Sequence, residues 1–307
     1  VKGKHALDAR PGRVVATAGR RVWVRDADGD RTCFLAGQRV VVGDRVTWVE
    51  ASGEGGRVVD VADRDNALVR LLGPGQEQVL AANLAGVFVV VTPRDPPFRP
   101  GLLDRYLVAA SAAHLRTVVL LNKVDLGVED EVSQALALRS TSGLEVVHVS
   151  AKDDSGFERV RALVAEADGP WTLVGHSGTG KTSIAQRLLP GEDVGEIGQM
   201  SEYWGTGRHT TTGSRLFSVP TGGELVDSPG IRTFAPGRME SEDVRLHFPG
   251  FEDLRCKYRD CVHREGEAGC GAPDAVAPEL LASYRRLYDE IAHADAATRG
   301  GRRTRET

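Results

Sequence analysis

The sequence predicts a chain of three folded parts: a small β-barrel of the OB type, an α/β domain on a mostly parallel sheet, and an α-rich module organised around zinc. Three observations predict it. Five short β-rich runs separated by turn residues lie between Gly12 and Val61, apolar runs alternate with helical stretches from Gly86 to Val174, and three cysteines crowd with one histidine between Cys256 and Cys270.

Bulk properties agree with several domains. The chain has 307 residues, more than one compact core usually holds. Hydrophobic residues make up 41% and charged residues 27%, ordinary globular values that exclude a mostly disordered or collagen-like chain. The longest strongly apolar stretch, Leu84 to Val91, falls far short of the roughly 20 residues a spanning helix needs. The start, Val1-Lys2-Gly3-Lys4-His5, leads into no apolar segment, so no membrane contact and a cytoplasmic location are expected. A net charge of −4 excludes a polycation that coats nucleic acid through bulk charge. Any RNA contact must be local. The first 25 residues hold seven Lys/Arg against Asp8 alone, and Arg299, Arg302, Arg303 and Arg305 make the tail basic as well.

Taken in order, the runs Arg13–Ala16, Arg21–Val24, Thr32–Leu35, Arg45–Val49 and Arg57–Val61 are the five barrel strands. An OB-fold is favoured because it has five strands and often binds oligonucleotides, with an SH3-like barrel as the alternative. A linker is expected near Arg64 to Gln78. Beyond it, Gly86–Val91, Val118–Leu121, Val146–Val149 and Trp171–Val174 read as buried strands, separated by helices around Leu102–Ala113, Glu129–Ser140 and Phe157–Ala167. This alternation predicts a parallel sheet with helices on both faces. After Pro236 the strands stop, and a last helix carries Leu280, Leu281, Tyr284, Leu287, Tyr288 and Ile291 at helical spacing with Pro278 in its first turn. That stripe reads as packing.

The chemistry concentrates in short motifs. Gly175-His176-Ser177-Gly178-Thr179-Gly180-Lys181-Thr182 fits the P-loop pattern between a strand and a helix, and Ser183 follows in the same nucleotide-contact set. Its glycines let backbone N–H groups face phosphates, Lys181 reaches the β and γ phosphates, and Thr182 ligates Mg²⁺. Only six of the 39 basic residues are lysines, and Lys123, Lys152 and Lys181 all fall in such motifs. Asn122-Lys123-Val124-Asp125 supplies base selection, with Asn122 able to tie this loop to the P-loop. A carboxylate at Asp125 accepts hydrogen bonds from N1–H and the 2-amino group of guanine, which adenine does not offer. Ser150-Ala151-Lys152 fits the loop that gives a backbone N–H to guanine O6. Asp227-Ser228-Pro229-Gly230 follows Glu224-Leu225-Val226; there Asp227 would hold Mg²⁺ through water and the Gly230 N–H would sense the γ phosphate. Between the P-loop and Asp227 lies Gly205–Thr212, placed as a first switch, from which Thr211 is the expected Mg²⁺ ligand. Ile231 stands where many GTPases carry the glutamine that orients water, and His209 on the same switch is the catalytic candidate beside Lys181 and Thr211.

Cys256-x4-Cys261-x-His263-x6-Cys270 offers three thiolates and an imidazole, the donor count of a closed structural zinc site. His247 is a rival ligand by proximity in sequence.

Along the chain the guanine motif comes first and the P-loop after it, the reverse of a conventional GTPase. The sequence therefore resembles a circularly permuted GTPase. With its leading barrel, Val42-Gly43-Asp44-Arg45-Val46, Arg208-His209-Thr210-Thr211-Thr212 and the trailing zinc motif, it is similar to the ribosome small-subunit-dependent GTPase A family of bacteria. Thr182 stands where that family usually has Ser, Thr179 replaces a small apolar residue, and the basic segment before the barrel is short. The resemblance implies a monomeric GTP hydrolase acting in late maturation of the small ribosomal subunit, stimulated by that subunit and its rRNA, with one structural Zn²⁺ and with Mg²⁺ accompanying GTP. It divides the chain into an RNA-binding barrel at 1–65, a GTPase domain at 66–236 and a zinc domain at 237–307. A GTP-gated switch on another RNA assembly is the rival reading. A P-loop kinase is a weaker one, since it has no use for Asn122 to Asp125.

Overall fold

The protein's structure, a computed structural model, describes residues 9–51, 55–73, 76–140, 143–192, 214–227 and 240–303. The barrel is formed by β1 (Arg10–Ala18), β2 (Arg21–Asp26), β3 (Gly29–Leu35), β4 (Arg45–Glu50) and β5 (Gly56–Val61). Their order is β1-β2-β3-β5-β4, closed by a β1–β4 pairing, with β3 and β5 parallel and every other neighbour antiparallel. Such an order is that of an OB barrel and not of an SH3-like one. Inward-facing Val14, Val22, Val24, Cys33, Val46, Trp48 and Val58 fill the interior. Burial pushes the Cys33 thiol up to about 11, so this lone cysteine is a packing residue and not a nucleophile.

The expected linker is instead largely a hairpin, β6 (Ala67–Gly73) and β7 (Gln76–Ala82). The stretch Gly73-Pro74-Gly75 reads as linker composition, whereas the strands on either side of it pair and carry Leu68, Leu80 and Ala81 into the core beneath the barrel. The barrel docks on this hairpin through Val42-Gly43-Asp44. Val42 bridges Ala81, the Asn83 amide donates to the Gly43 carbonyl at 3.0 Å, and fully buried Asp44 accepts two hydrogen bonds from Arg64 at 2.7 and 2.8 Å. At Gly43, with φ at +94°, a Cβ would lie 1.9 Å from the Ala82 carbonyl oxygen. Gly43→Ala should therefore cost roughly 2–5 kcal/mol, combining left-handed backbone strain with forced overlap. Gly19→Ala, also at positive φ but with open space around it, should lose only the backbone part. Urea melts check this: equal losses in the two variants would show that the Gly43 corner is not a close contact.

Six further strands form the central sheet: β8 (Gly86–Val91), β9 (Arg116–Leu121), β10 (Glu145–His148), β11 (Pro170–Val174), β12 (Arg215–Ser218) and β13 (Glu224–Asp227). The order is β10-β9-β8-β11-β13-β12, parallel except for β12. Strand β12, only four residues long, gave no alternating pattern strong enough to be expected. Helices α1 (Pro100–Ala112) and α2 (Asp130–Ser140) cover one face, and α3 (Phe157–Ala165) and α4 (Lys181–Leu188) the other. The chain runs outward from β8 to β9 and β10, then returns to β11 on the opposite side of β8. Such a reversal opens a crevice at the carboxyl ends of β8 and β11. The barrel joins the other edge through the pairing of Ala16 with Arg215, and Glu224 accepts ion pairs from Arg13 at 2.8 Å and Arg25 at 3.3 Å.

The last module contains α5 (Ser241–His247), α6 (Ala272–Ala275) and α7 (Pro278–Arg303). Val108 of α1 shares a core with Val244, Phe248, Leu280, Leu281 and Tyr284. Beside that core the buried Asp104 carboxylate of α1 accepts from Arg139 of α2 at 2.7 Å and from the Ser283 hydroxyl of α7. Among the described residues no helix is long and apolar enough to cross a membrane.

Candidate nucleotide and metal sites

Every described motif residue of the nucleotide set lies at the carboxyl edge of the parallel strands. The P-loop leaves β11 and enters α4, whose first residue is Lys181. Lys181 is 8% exposed, and its ammonium donates to the Gly175 carbonyl at 2.8 Å and the His176 carbonyl at 2.7 Å. The Thr179 hydroxyl closes the turn onto the His176 carbonyl at 2.9 Å. His176, Ser177 and Gly178 face outward, Thr182 is half-buried in the first turn of α4, and Ser183 is exposed beside it. Gly180 has φ at +89°, and a Cβ there would lie 2.3 Å from the Asn122 amide nitrogen.

Asn122 explains that restriction. It is buried, donates from Nδ2 to the Thr179 carbonyl at 2.9 Å, and accepts at Oδ1 from the Ala151 N–H at 3.2 Å. One side chain thus joins its own loop to two others, 57 and 29 residues away along the chain. Lys123 follows in the left-handed region, with φ at 65°, and its ammonium donates to the Asp95 carbonyl. Val124 is half-buried and opens a short 3₁₀ turn that contains Asp125. The Asp125 carboxylate accepts from the Ser150 hydroxyl at 2.9 Å and lies 3.8 Å from the Lys152 ammonium. Ser150 entered the sequence reading for its backbone alone. Its hydroxyl orients the carboxylate, a contact between loops that no local pattern displays. A small cavity lined by Pro96, Phe98, Tyr106, His176 and Thr179 adjoins the P-loop; no motif had singled out the 92–98 segment.

Asp227 ends β13, the parallel neighbour of β11. It and Thr182 therefore come from adjacent strand ends of the sheet. His209, Thr211 and Gly230 lie outside the described residues, as does Ile231.

In the last module, Cys256, Cys261, His263 and Cys270 place their four donor atoms within 4.8 Å of one another. His263 Nδ1 is 3.5 Å from each of the three sulfurs. Ordinary zinc–sulfur and zinc–nitrogen bonds at a tetrahedral angle would separate sulfur from nitrogen by about 3.6 Å. The donor set thus fits one zinc ion. Burial pushes the Cys261 thiol up to about 12 and holds the His263 imidazole below its usual range. A divalent cation offsets the first effect and uses the neutral ring that the second favours. The Gly271 N–H donates to Cys256 Sγ at 3.3 Å, while Arg285 and Tyr284 of α7 donate to the His263 and Val262 carbonyls at 2.8 and 3.0 Å. His247 is elsewhere, its Nδ1 3.1 Å from the Ser111 hydroxyl of α1.

Comparison with known proteins agrees with this arrangement. A sequence model of the family described as RsgA GTPase matches residues 61–236. The small ribosomal subunit biogenesis GTPase RsgA of Azotobacter vinelandii is 39% identical over 302 residues, covering 91% of this chain and 85% of its own. The protein of the same name from Pseudomonas aeruginosa is 37% identical, covering 92% and 86%. Among solved structures, YjeQ from Thermotoga maritima superposes with a TM-score of 0.75 at 28% identity over 92% of this chain and 98% of that one. YloQ, described as a circularly permuted GTPase, shares the fold with a TM-score of 0.71 at 20% identity over 96% and 99%. With the family model matching more than half of the chain and relatives 37–39% identical over nine-tenths of it, the chain belongs to the RsgA GTPase family.

Proposed function

We propose that this protein hydrolyses GTP to GDP and phosphate during late maturation of the small ribosomal subunit, and that the subunit stimulates the hydrolysis. The observation that carries the reading is Asn122, whose two hydrogen bonds lock the P-loop to the 150–152 loop beside Asp125. A phosphate cradle and a guanine reader are thereby held as one rigid site. In this reading the N–H groups at the start of α4 and the Lys181 ammonium bind the phosphates, and Asp125 reads N1–H and the 2-amino group. Ser150, Ala151 and Lys152 form the wall at O6. Thr182, Asp227 and Thr211 would hold Mg²⁺, which when bound offsets charge on the β and γ phosphates. Cys256, Cys261, His263 and Cys270 hold one structural zinc.

The barrel, residues 1–65, and the zinc domain, 237–307, would bind rRNA on either side of a GTPase domain spanning 66–236. The protein acts as a cytoplasmic monomer. Co-sedimentation with purified small subunits tests the partner: the GTP-analogue state should bind and the GDP state should release. Sedimentation of neither would favour a switch acting on another RNA assembly, and equal sedimentation of both would mean that the nucleotide does not gate subunit binding. Water orientation falls to His209, because Ile231 has no polar group to do it. His209→Ala should lower single-turnover hydrolysis on saturating subunits about 100-fold, the size of a lost general base, with GTP affinity and subunit binding near wild type. If subunit binding falls and the bound-state rate does not, His209 contacts RNA and its catalytic role is wrong.

A further inference from the structure

The far end of α4 reaches the base-reading loop. Arg187, in its last turn, donates from Nε to the Ala151 carbonyl at 2.8 Å and from Nη2 to the Lys152 carbonyl at 2.9 Å. Two successive carbonyls thus meet the two prongs of one guanidinium, a fork that holds direction as well as distance. Peptide units are planar and trans, so turning the Ala151 carbonyl toward α4 turns the N–H of Lys152 away from it. From the other flank, Arg161 of α3 grips Asp154 with contacts of 2.8 and 2.9 Å, fixing the residue where the loop turns with φ at +67°. A groove of about 630 Å³, lined by Asp154, Arg161, Ser183, Gln186 and Arg187, separates the two grips.

We infer that Arg187 is a positioning residue for guanine recognition. Its fork presets the 151–152 backbone, so the helix whose first turn carries Lys181 and Thr182 also sets the loop that reads the 6-oxygen. The inference rests on the assignment of 150–152 as the O6 wall. A plain structural role competes with it, since a cation in the last turn also offsets the helix dipole.

The test compares GDP with 6-thioguanosine diphosphate, which keeps N1–H and the 2-amino group but carries a weakly accepting sulfur in place of the 6-oxygen, by competition against a fluorescent guanine nucleotide. Thermal melts first establish that Arg187→Ala and Arg187→Lys are folded. Arg187→Ala should weaken GDP about tenfold, the scale of lost charge-assisted hydrogen bonds, and leave the analogue within about twofold of wild type. Arg187→Lys keeps the helix-end charge but not the fork, and should recover only part of the GDP loss. Equal weakening of both ligands, unchanged GDP binding, or full recovery by lysine would each overturn the inference. A wild-type protein that fails to prefer GDP over the analogue would overturn the base-loop assignment itself, an outcome distinguishable from the other three.

Discussion

Asp125→Asn is expected to reverse the base preference of the nucleotide site. The carboxylate offers two acceptors to two guanine donors, N1–H and the 2-amino group, whereas an amide offers one acceptor and one donor. The acceptor still meets N1–H. The new donor then faces a second donor in guanine but an acceptor, the 2-oxo group, in xanthine. Ser150 donates to Asp125 from its hydroxyl at 2.9 Å, and that contact persists in weaker form, because an amide oxygen still accepts although it lacks the carboxylate's charge. Lys152 loses an ion partner at 3.8 Å, but its side chain is 80% exposed, so little is lost there. A matched or mismatched bidentate contact is worth about 1–3 kcal/mol, and it is lost for guanine and gained for xanthine, so the preference should shift by roughly 10²–10⁴. Competition titrations with GDP and XDP, followed by single-turnover hydrolysis of GTP and XTP, measure it. An unaltered preference would remove Asp125 as the base reader and leave the 122–125 turn a structural element.

The residues of that argument were legible because their chemistry is written in contiguous stretches. A P-loop has to follow a strand and open a helix, and Gly175 to Thr182 sits between Trp171–Val174 and the helix that starts at Lys181. What joins the stretches was less legible. Asn122 could be assigned to the P-loop from its motif, but its second bond, to the Ala151 N–H, depends on how β9 and β10 lie side by side. Arg187 looked like any exposed arginine on a helix, since its partners lie 35 and 36 residues earlier. The fold shows the same division. Barrel strands separated by turns were readable, whereas the 67–82 hairpin was hidden by the linker-like Gly-Pro-Gly sequence between its strands and β12 by its four-residue length. Gly43 stood in a quoted motif without a reason until the Ala82 carbonyl was placed against it. Periodicity reports which face is buried; it does not report what crosses over it.

Cys261→Ser should dismantle the last module while sparing the nucleotide site. Cys261 is 4% exposed, and a serine hydroxyl there is a poor zinc ligand, so the three remaining donors would no longer close a tetrahedron. Structural zinc contributes about 10–16 kcal/mol of apparent folding free energy in small zinc domains, well above the stability a short module draws from its own core. Here the cluster is also the floor of an aromatic stack, with His263 edge-on to Phe251 and to Tyr284 at 5.4 and 5.5 Å. Tyr284 and Arg285 hold the metal loop from α7, and Val108 extends the same core to α1. Loss of zinc should therefore release α7 and raise hydrogen exchange across residues 248–291. Asp104 keeps Arg139 when it loses Ser283, so the sheet and its carboxyl-edge loops should stay intact and GDP affinity should remain within about twofold. Metal analysis of the wild type should find one zinc per chain and of the variant none. Fewer than one in the wild type, or unchanged exchange over 248–291 in a zinc-free variant, would mean that the aromatic core and not the metal holds this module together.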